Sequence, residues 1–273
     1  MTIDELKEKA AEIRETVLDI VYRAKAGHIG GDLSAADIMT ALFFSVLRAD
    51  PQHPDDPERD RFVLSKGHAA EVYYACLAKK GYFPESELAE YGRPGARLIG
   101  HPTNKVPGIE INTGALGHGL SIATGMALGL RMQGRRGRVF VLCGDGEQAE
   151  GSNWEALMAA SSYGLDNLTA ILDRNHLQIS GNTEDVMKLE PLADKYRAFG
   201  WNTVEIDGND MEAVVRALTM EHEGSPLMII AHTVKGKGIN EMENIASWHH
   251  GVPDEDLYLR ARAELASQRR KDG

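Results

Sequence analysis

Apolar positions at helical spacing open the chain. Leu6, Ile13, Val17, Ile20 and Val21 fall on one helix face behind a Thr2 and Glu5 capping-box pattern. The predicted helix ends near Gly27. A second is predicted from Ser34 through Ile38, Leu42 and Val46. A loop rich in Pro and Asp follows over 50–60. Arg61–Ser65 then reads as a short strand and His68–Lys80 as a helix. Residues 92–118 are rich in Gly and Pro with little periodicity, and a loop that long is usually functional or disordered. Leu120–Met132 reads as a helix rich in small residues. From Arg138 onward the pattern alternates. Strands are predicted at Arg138–Leu142, Leu168–Leu172, Thr203–Ile206 and Leu227–Ala231. Helices are predicted at Trp154–Tyr163, Pro191–Phe199, Met211–His222 and, after a loop over 232–252, Asp254–Gln268. This alternation predicts an α/β fold with a parallel sheet and helices on both faces. Ligands of such sheets sit beyond the carboxyl ends of the strands.

Composition narrows the picture. At 273 residues the chain can bury one large core. We therefore expect a single domain over 1–273, with a polar tail from about 262 to 273. A net charge of −11 argues against a nucleic-acid surface. The charged N-terminus does not read as a signal peptide, and no apolar stretch is expected to cross a membrane. Cys76 and Cys143 both lie in apolar segments and read as small buried hydrophobes. No disulfide framework is implied, which fits a reducing, cytoplasmic location.

The chemistry concentrates in loops. The run Val139-Phe-Val-Leu-Cys143 ends in Gly144-Asp145-Gly146, and the run Leu168–Asp173 ends just before Asn175. If both are neighbouring parallel strands, Asp145 and Asn175 meet at their carboxyl ends. A carboxylate and an amide oxygen there suit a hard cation, Mg²⁺ or Ca²⁺, and the flanking glycines leave room for phosphate oxygens. Four further loops carry histidine: Gly27-His28, Lys66-Gly67-His68-Ala69, Gly100-His101-Pro102 and Trp248-His249-His250-Gly251. Neutral imidazoles can hold phosphates and substrate hydroxyls and move protons near neutral pH. Zinc is the rival reading of such a cluster, but the spacing pairs no ligands closely and no cysteine helps. Gly114-Ala-Leu-Gly117 would wrap its backbone around a flat cofactor, while His118 reads as a helix cap or solvent-facing residue. Of the two acids after Asp145, helix-end placement accounts for Glu147, and Glu150 is read as the deeper one. Lys235 and Lys237 are equally readable as solvated charges or diphosphate contacts.

Taken in order, these motifs resemble the thiamine-diphosphate-binding N-terminal part of transketolase. The resemblance runs from Gly27-His28 to Trp248-His249-His250-Gly251. It implies the pyrophosphate-domain fold of thiamine enzymes. It implies that Asp145, Asn175 and the Leu177 carbonyl bind the metal, Mg²⁺ with Ca²⁺ or Mn²⁺ as alternatives. Gly146 and His68 would then touch the diphosphate, and Gly114 and Leu116 would pack near the cofactor. His28 and His101 would serve the sugar hydroxyls, joined by His249, with His250 as the alternative one residue on. Glu150 would join a carboxylate network linking paired active sites. Ile29 and Ala115 stand at usual proline positions and His118 at a usual glutamine, as in the split bacterial and archaeal type. The chain is short of the family's second and third domains, which carry the cofactor-activating glutamate and the sugar-phosphate contacts. The resemblance therefore implies an N-terminal transketolase subunit that moves a two-carbon ketol unit between sugar phosphates. It would act only with a separate C-terminal subunit, in an α2β2 assembly. Related thiamine enzymes are alternatives: a 1-deoxyxylulose-5-phosphate-synthase-like subunit or the α subunit of a 2-oxo acid dehydrogenase. Another alternative is a non-catalytic cofactor-binding assembly partner.

Overall fold

The computed structural model describes residues 1–269. Its strands are β1 (Arg61–Leu64), β2 (Val139–Gly144), β3 (Leu168–Arg174), a hairpin of β4 (Leu177–Gln178) and β5 (Gly181–Asn182), then β6 (Asn202–Asp207) and β7 (Leu227–His232). Five of them form a parallel sheet in the order β1-β2-β3-β7-β6. The helices are α1 (Ile3–Ala24), α2 (Ile29–Ala41), α3 (Ala70–Lys80), α4 (Gly119–Met132), α5 (Gly151–Ser162), α6 (Thr183–Val186), α7 (Leu192–Ala198), α8 (Met211–Leu218) and α9 (Glu255–Arg269).

Alternate strand residues face opposite ways, so each strand feeds two cores. Phe62, Leu64, Phe140, Leu142, Ile171 and Ile229 pack with buried residues of α1, α2, α3, α8 and α9. Val63, Val141, Cys143, Ala170, Leu172 and Ile230 pack with those of α4, α5 and α7. Both faces are covered, as the alternating pattern requires. Both cysteines are buried and free.

The N-terminal capping box of Thr2 and Glu5 is formed. Four other expectations change. α2 starts at Ile29 rather than Ser34, and every residue in it is buried. Gly30 and Gly31 read as helix breakers, but each costs only about 1 kcal/mol against alanine. Packing against α1 and α3 outweighs that cost. By length and composition, Ile29–Val46 is also apolar enough to cross a membrane, contrary to the sequence expectation, yet 89% of it is buried in the core. α8 stops at Leu218, short of His222. Residues 262–269, expected as tail, are the last turns of α9, with Leu265 fully buried. Residues 270–273 of that tail lie outside the described residues. The hairpin and α6 are too short to leave a periodic signal.

Candidate active site

The carboxyl ends of β1, β2, β3 and β7 surround a cavity of about 370 Å³. Its lining includes His28, Lys66, His68, Gly114, Leu116, Asp145, Gly146, Asn175, Leu177, Lys235 and His249. Residues from distant parts of the chain meet because the strands are parallel and each delivers its following loop to the same edge.

Asp145 follows β2 and is buried. Its Oδ1 accepts from the Gly146 amide at 2.7 Å, and its Oδ2 from the His176 amide at 2.6 Å and Arg174 Nη1 at 3.3 Å. His176 reaches it by adopting the left-handed region, φ 65°. Burial and nearby Asp173 raise the Asp145 carboxyl, against the opposing Arg174 charge. Asn175 follows β3. Its Nδ2 donates to Asp173 Oδ2 at 3.3 Å and to Ser34 Oγ at 3.4 Å, and its Oδ1 accepts from the Leu177 amide at 3.2 Å. The Leu177 carbonyl accepts from Lys235 Nζ at 3.1 Å. Asp145, Asn175 and Leu177 all line the cavity, and a carboxylate, an amide oxygen and a backbone carbonyl are a donor set that suits a hard divalent cation. A cationic ammonium already rests on the carbonyl. Among the described residues no group of three or more His, Cys, Asp or Glu side chains is arranged around a metal position.

Beneath these donors lies Asp173, wholly buried. It accepts from Lys66 Nζ, from Ser34 Oγ at 2.6 Å and from Thr233 Oγ1. Burial alone would raise this carboxyl, but the Lys66 ammonium and the hydroxyl donors hold it below the ordinary range. Lys66 also donates to the Gly31 carbonyl at 2.9 Å, tying β1, β3 and α2 together.

The histidines gather over the cavity. His28 caps the start of α2, and its ring lies 5.4 Å from His68, 5.7 Å from His249, 4.8 Å from His250 and 6.1 Å from His101. Burial lowers His28 to about 4, helped by the neighbouring His250, and lowers His249 to about 3, helped by Lys235. His68 falls further, by burial and by Lys66. These rings are neutral at neutral pH, able to donate at one nitrogen and accept at the other. His101 is exposed and lies outside the cavity lining, beside His28, its pKa lowered by burial of part of the ring. Gly114, at φ 139°, faces it so closely that a Cβ would lie 2.8 Å from His101 Cδ2. Of the last loop's pair, His249 lines the cavity and its Nδ1 meets Lys235 Nζ at 3.1 Å, while His250 packs on the His28 ring.

Several residues take other places than expected. Glu150 is exposed and lies outside the cavity lining, at the N-terminus of α5. The deeper acid is Glu147, which accepts from Ser65 Oγ and from the amides of Gly117 at 2.8 Å and Gly144 at 2.9 Å. A single-turn 3-10 helix over Gly146–Ala149 aims it inward. Lys235 is buried in the site, its pKa lowered to about 8 by burial and by Lys66. Lys237 instead points outward to Glu243. His118 is exposed and pairs with the Leu116 carbonyl. The sequence pattern does not single out Lys66, Asp173 and Arg174. Their one signal is position, directly beside Ser65-Gly67 and Asn175 at strand ends.

Comparison with known proteins shows the family. The profile of the family described as "Transketolase, thiamine diphosphate binding domain" matches residues 6–269. An apulose-4-phosphate transketolase subunit of Phocaeicola vulgatus is 48% identical over 270 residues, covering 98% of this chain and 96% of the relative. A 6-deoxy-6-sulfo-D-fructose transketolase subunit of a Clostridium species is 41% identical, with 97% of each chain covered. The solved transketolase of Campylobacter jejuni superposes with a TM-score of 0.91 at 27% identity, covering 100% of this chain and 46% of that one. That of Leishmania mexicana gives 0.86 at 29% identity, again with 46% of the solved chain covered. The chain thus spans about half the length of the solved transketolases it matches.

Proposed function

Because this chain belongs to the transketolase thiamine-diphosphate-binding family and is a subunit of a transketolase, we propose that it supplies the diphosphate half of a two-chain active site. Its reaction is transfer of a two-carbon ketol unit from a ketose phosphate to an aldose phosphate. Thiamine diphosphate and Mg²⁺, with Ca²⁺ or Mn²⁺ able to substitute, are its cofactors. A separate C-terminal subunit completes the site in an α2β2 assembly, and we place the enzyme in the cytoplasm. The observation that carries this reading is that Asp145, Asn175 and Leu177 line one cavity together with the neutral His28, His68 and His249. Relatives named for sugars with a phosphate or a sulfo group support an anionic sugar substrate.

When bound, thiamine diphosphate supplies the electron sink for cleaving a ketose C2–C3 bond. This chain's residues hold and orient. Asp145, Asn175 and Leu177 would hold the metal, and His68 with the Gly146 backbone would hold the diphosphate. Gly114 and Leu116 would line the cofactor's wall. His28, His101 and His249 would accept and return hydroxyl protons of the substrate, using rings that are neutral at working pH. Glu150 at the α5 N-terminus would act across the contact with a second copy rather than in the cavity.

The test is a ketol-transfer assay of this chain with thiamine diphosphate and Mg²⁺, alone and with a C-terminal subunit. Activity should require both chains. Full activity of this chain by itself would end the two-chain reading, and inactivity of the complete pair would end the transketolase reading. Replacing His101 with alanine should lower kcat by about a hundredfold to ten-thousandfold while cofactor affinity holds. Loss of cofactor binding without a separate defect in turnover would remove His101 from proton transfer.

A further inference from the structure

Two carboxyl groups lie outside the cavity lining and outside every role assigned above. Asp32, in the first turn of α2, and Glu71, in the first turn of α3, are both wholly buried. Asp32 Oδ1 accepts from the Val72 amide at 2.8 Å, and Glu71 Oε1 accepts from the Tyr91 hydroxyl at 2.6 Å. The second oxygens, Asp32 Oδ2 and Glu71 Oε2, meet no other donor. Asp32 takes the amide of the residue next to Glu71, so the two carboxyls are buried neighbours. Two ionised carboxylates are acceptors only and leave both second oxygens orphaned, whereas a proton on one of them can satisfy the pair. Burial and adjacent Glu71 raise Asp32 well above the ordinary range. Burial also raises Glu71, against the hydrogen bond from Tyr91. The proton therefore sits on Asp32.

The pair underlies two of the histidine loops. Gly27 has φ 155°, and a Cβ there would lie 2.6 Å from Glu71 Oε1. The carboxylate thus packs on the backbone entering His28. On the other side, the Tyr91 ring lies 6.0 Å from Tyr74. Tyr74 in turn donates to the carbonyls of Ile99 at 2.8 Å and His101 at 3.0 Å. One carboxylate braces His28 directly and His101 through two tyrosines.

We propose that Asp32 and Glu71 are a proton-sharing clamp between α2 and α3, positioning His28 and His101 for ketol transfer and loosening as the shared proton leaves at high pH. The inference rests on the transketolase reading for its catalytic part alone. The other titratable groups facing the pair are Lys66, Tyr74 and Tyr91. Asp32 holds its proton more tightly folded than unfolded. Its contribution to stability is therefore full below about pH 4 and declines as pH rises, until the folded pair itself ionises.

The experiment compares the unmutated chain with Asp32→Asn and Asp32→Ala. Asparagine keeps a donor toward Glu71 and an acceptor for Val72 but has no proton to lose, and alanine removes both. Urea unfolding of each chain alone is followed across neutral and alkaline pH. Relative to Asp32→Asn, the unfolding constant of the unmutated chain should rise by up to about tenfold per pH unit until the pair ionises. Parallel pH dependences overturn the shared proton. In the presence of the C-terminal subunit, Asp32→Ala should lower kcat about tenfold to a hundredfold, as small misplacements of catalytic groups do. The Kd for thiamine diphosphate should move less than about threefold, and Asp32→Asn should restore most of kcat. Equal kcat in both variants overturns the positioning role. Should Asp32→Ala fail to fold, Tyr91→Phe cuts the arm to His101 and should lower kcat while keeping the urea pH slope; unchanged kcat there overturns the role equally. If the unmutated pair transfers no ketol unit, the functional reading fails, while the urea series still decides the shared proton.

Discussion

Asp145→Asn should abolish saturable thiamine diphosphate binding in the presence of Mg²⁺. The substitution keeps the side chain's size but removes the one full negative charge among the three oxygen donors. It also places an amide where the Gly146 and His176 amides and Arg174 all donate, leaving buried donors face to face. Removing even an outer partner of a metal ligand costs about tenfold to a hundredfold in metal affinity. Loss of the charged ligand should therefore exceed roughly a hundredfold. Calorimetric titration of the cofactor with and without Mg²⁺ reads the effect. An Mg²⁺-dependent affinity within a few-fold of the unmutated chain would remove Asp145 from the metal set.

Lys66→Met should unfold the chain more easily by about 3–5 kcal/mol, the usual cost of leaving one partner of a buried ion pair uncompensated. The ammonium is the one full positive charge on Asp173, and neither side chain reaches solvent to any useful extent. Ser34 and Thr233 cannot neutralise the carboxylate that remains. Urea denaturation gives the loss directly. Combining Lys66→Met with Asp173→Asn should recover part of it, since the second change removes the stranded charge. A single-variant loss under about 1 kcal/mol would mean that the pair is held mainly by its hydroxyl donors.

The frame and the two principal ligands are legible in the residue pattern. Apolar strand runs alternating with helical segments and a Gly-Asp-Gly turn point to one sheet edge, and Asp145 and Asn175 follow adjacent strands there. The Gly-His loops are legible because glycine before histidine marks close backbone approach. The buried charges beneath them are not. Lys66 and Asp173 look in sequence like any polar residues beside a turn, and only tertiary packing closes water out around them. Glu147 and Glu150 exchange their expected places for a similar reason. Three residues apart, they fall on one side of a regular helix, but the chain makes a 3-10 turn before α5 begins. The spacing of Lys235 and Lys237 leaves both open, and the loop's path sends only the first inward. Glycine propensity alone starts α2 too late, because it takes no account of the apolar surface that covers the helix.

The pairing of β2 with β3 sets Gly144 opposite Asp173, with Phe140 turned to one core and Val141 to the other. That register works as a ruler for the ligand site. A slip of one residue would carry Asp145 about 3.3 Å along the strand, farther than the roughly 2.0–2.6 Å between a hard cation and its oxygen donors. The same slip would swap Phe140 and Val141 between cores of different shape. The alignment of two oxygen donors is thus enforced some four residues away, by side chains that never approach the cavity, and core-volume changes in β2 belong among the mutations that tune it.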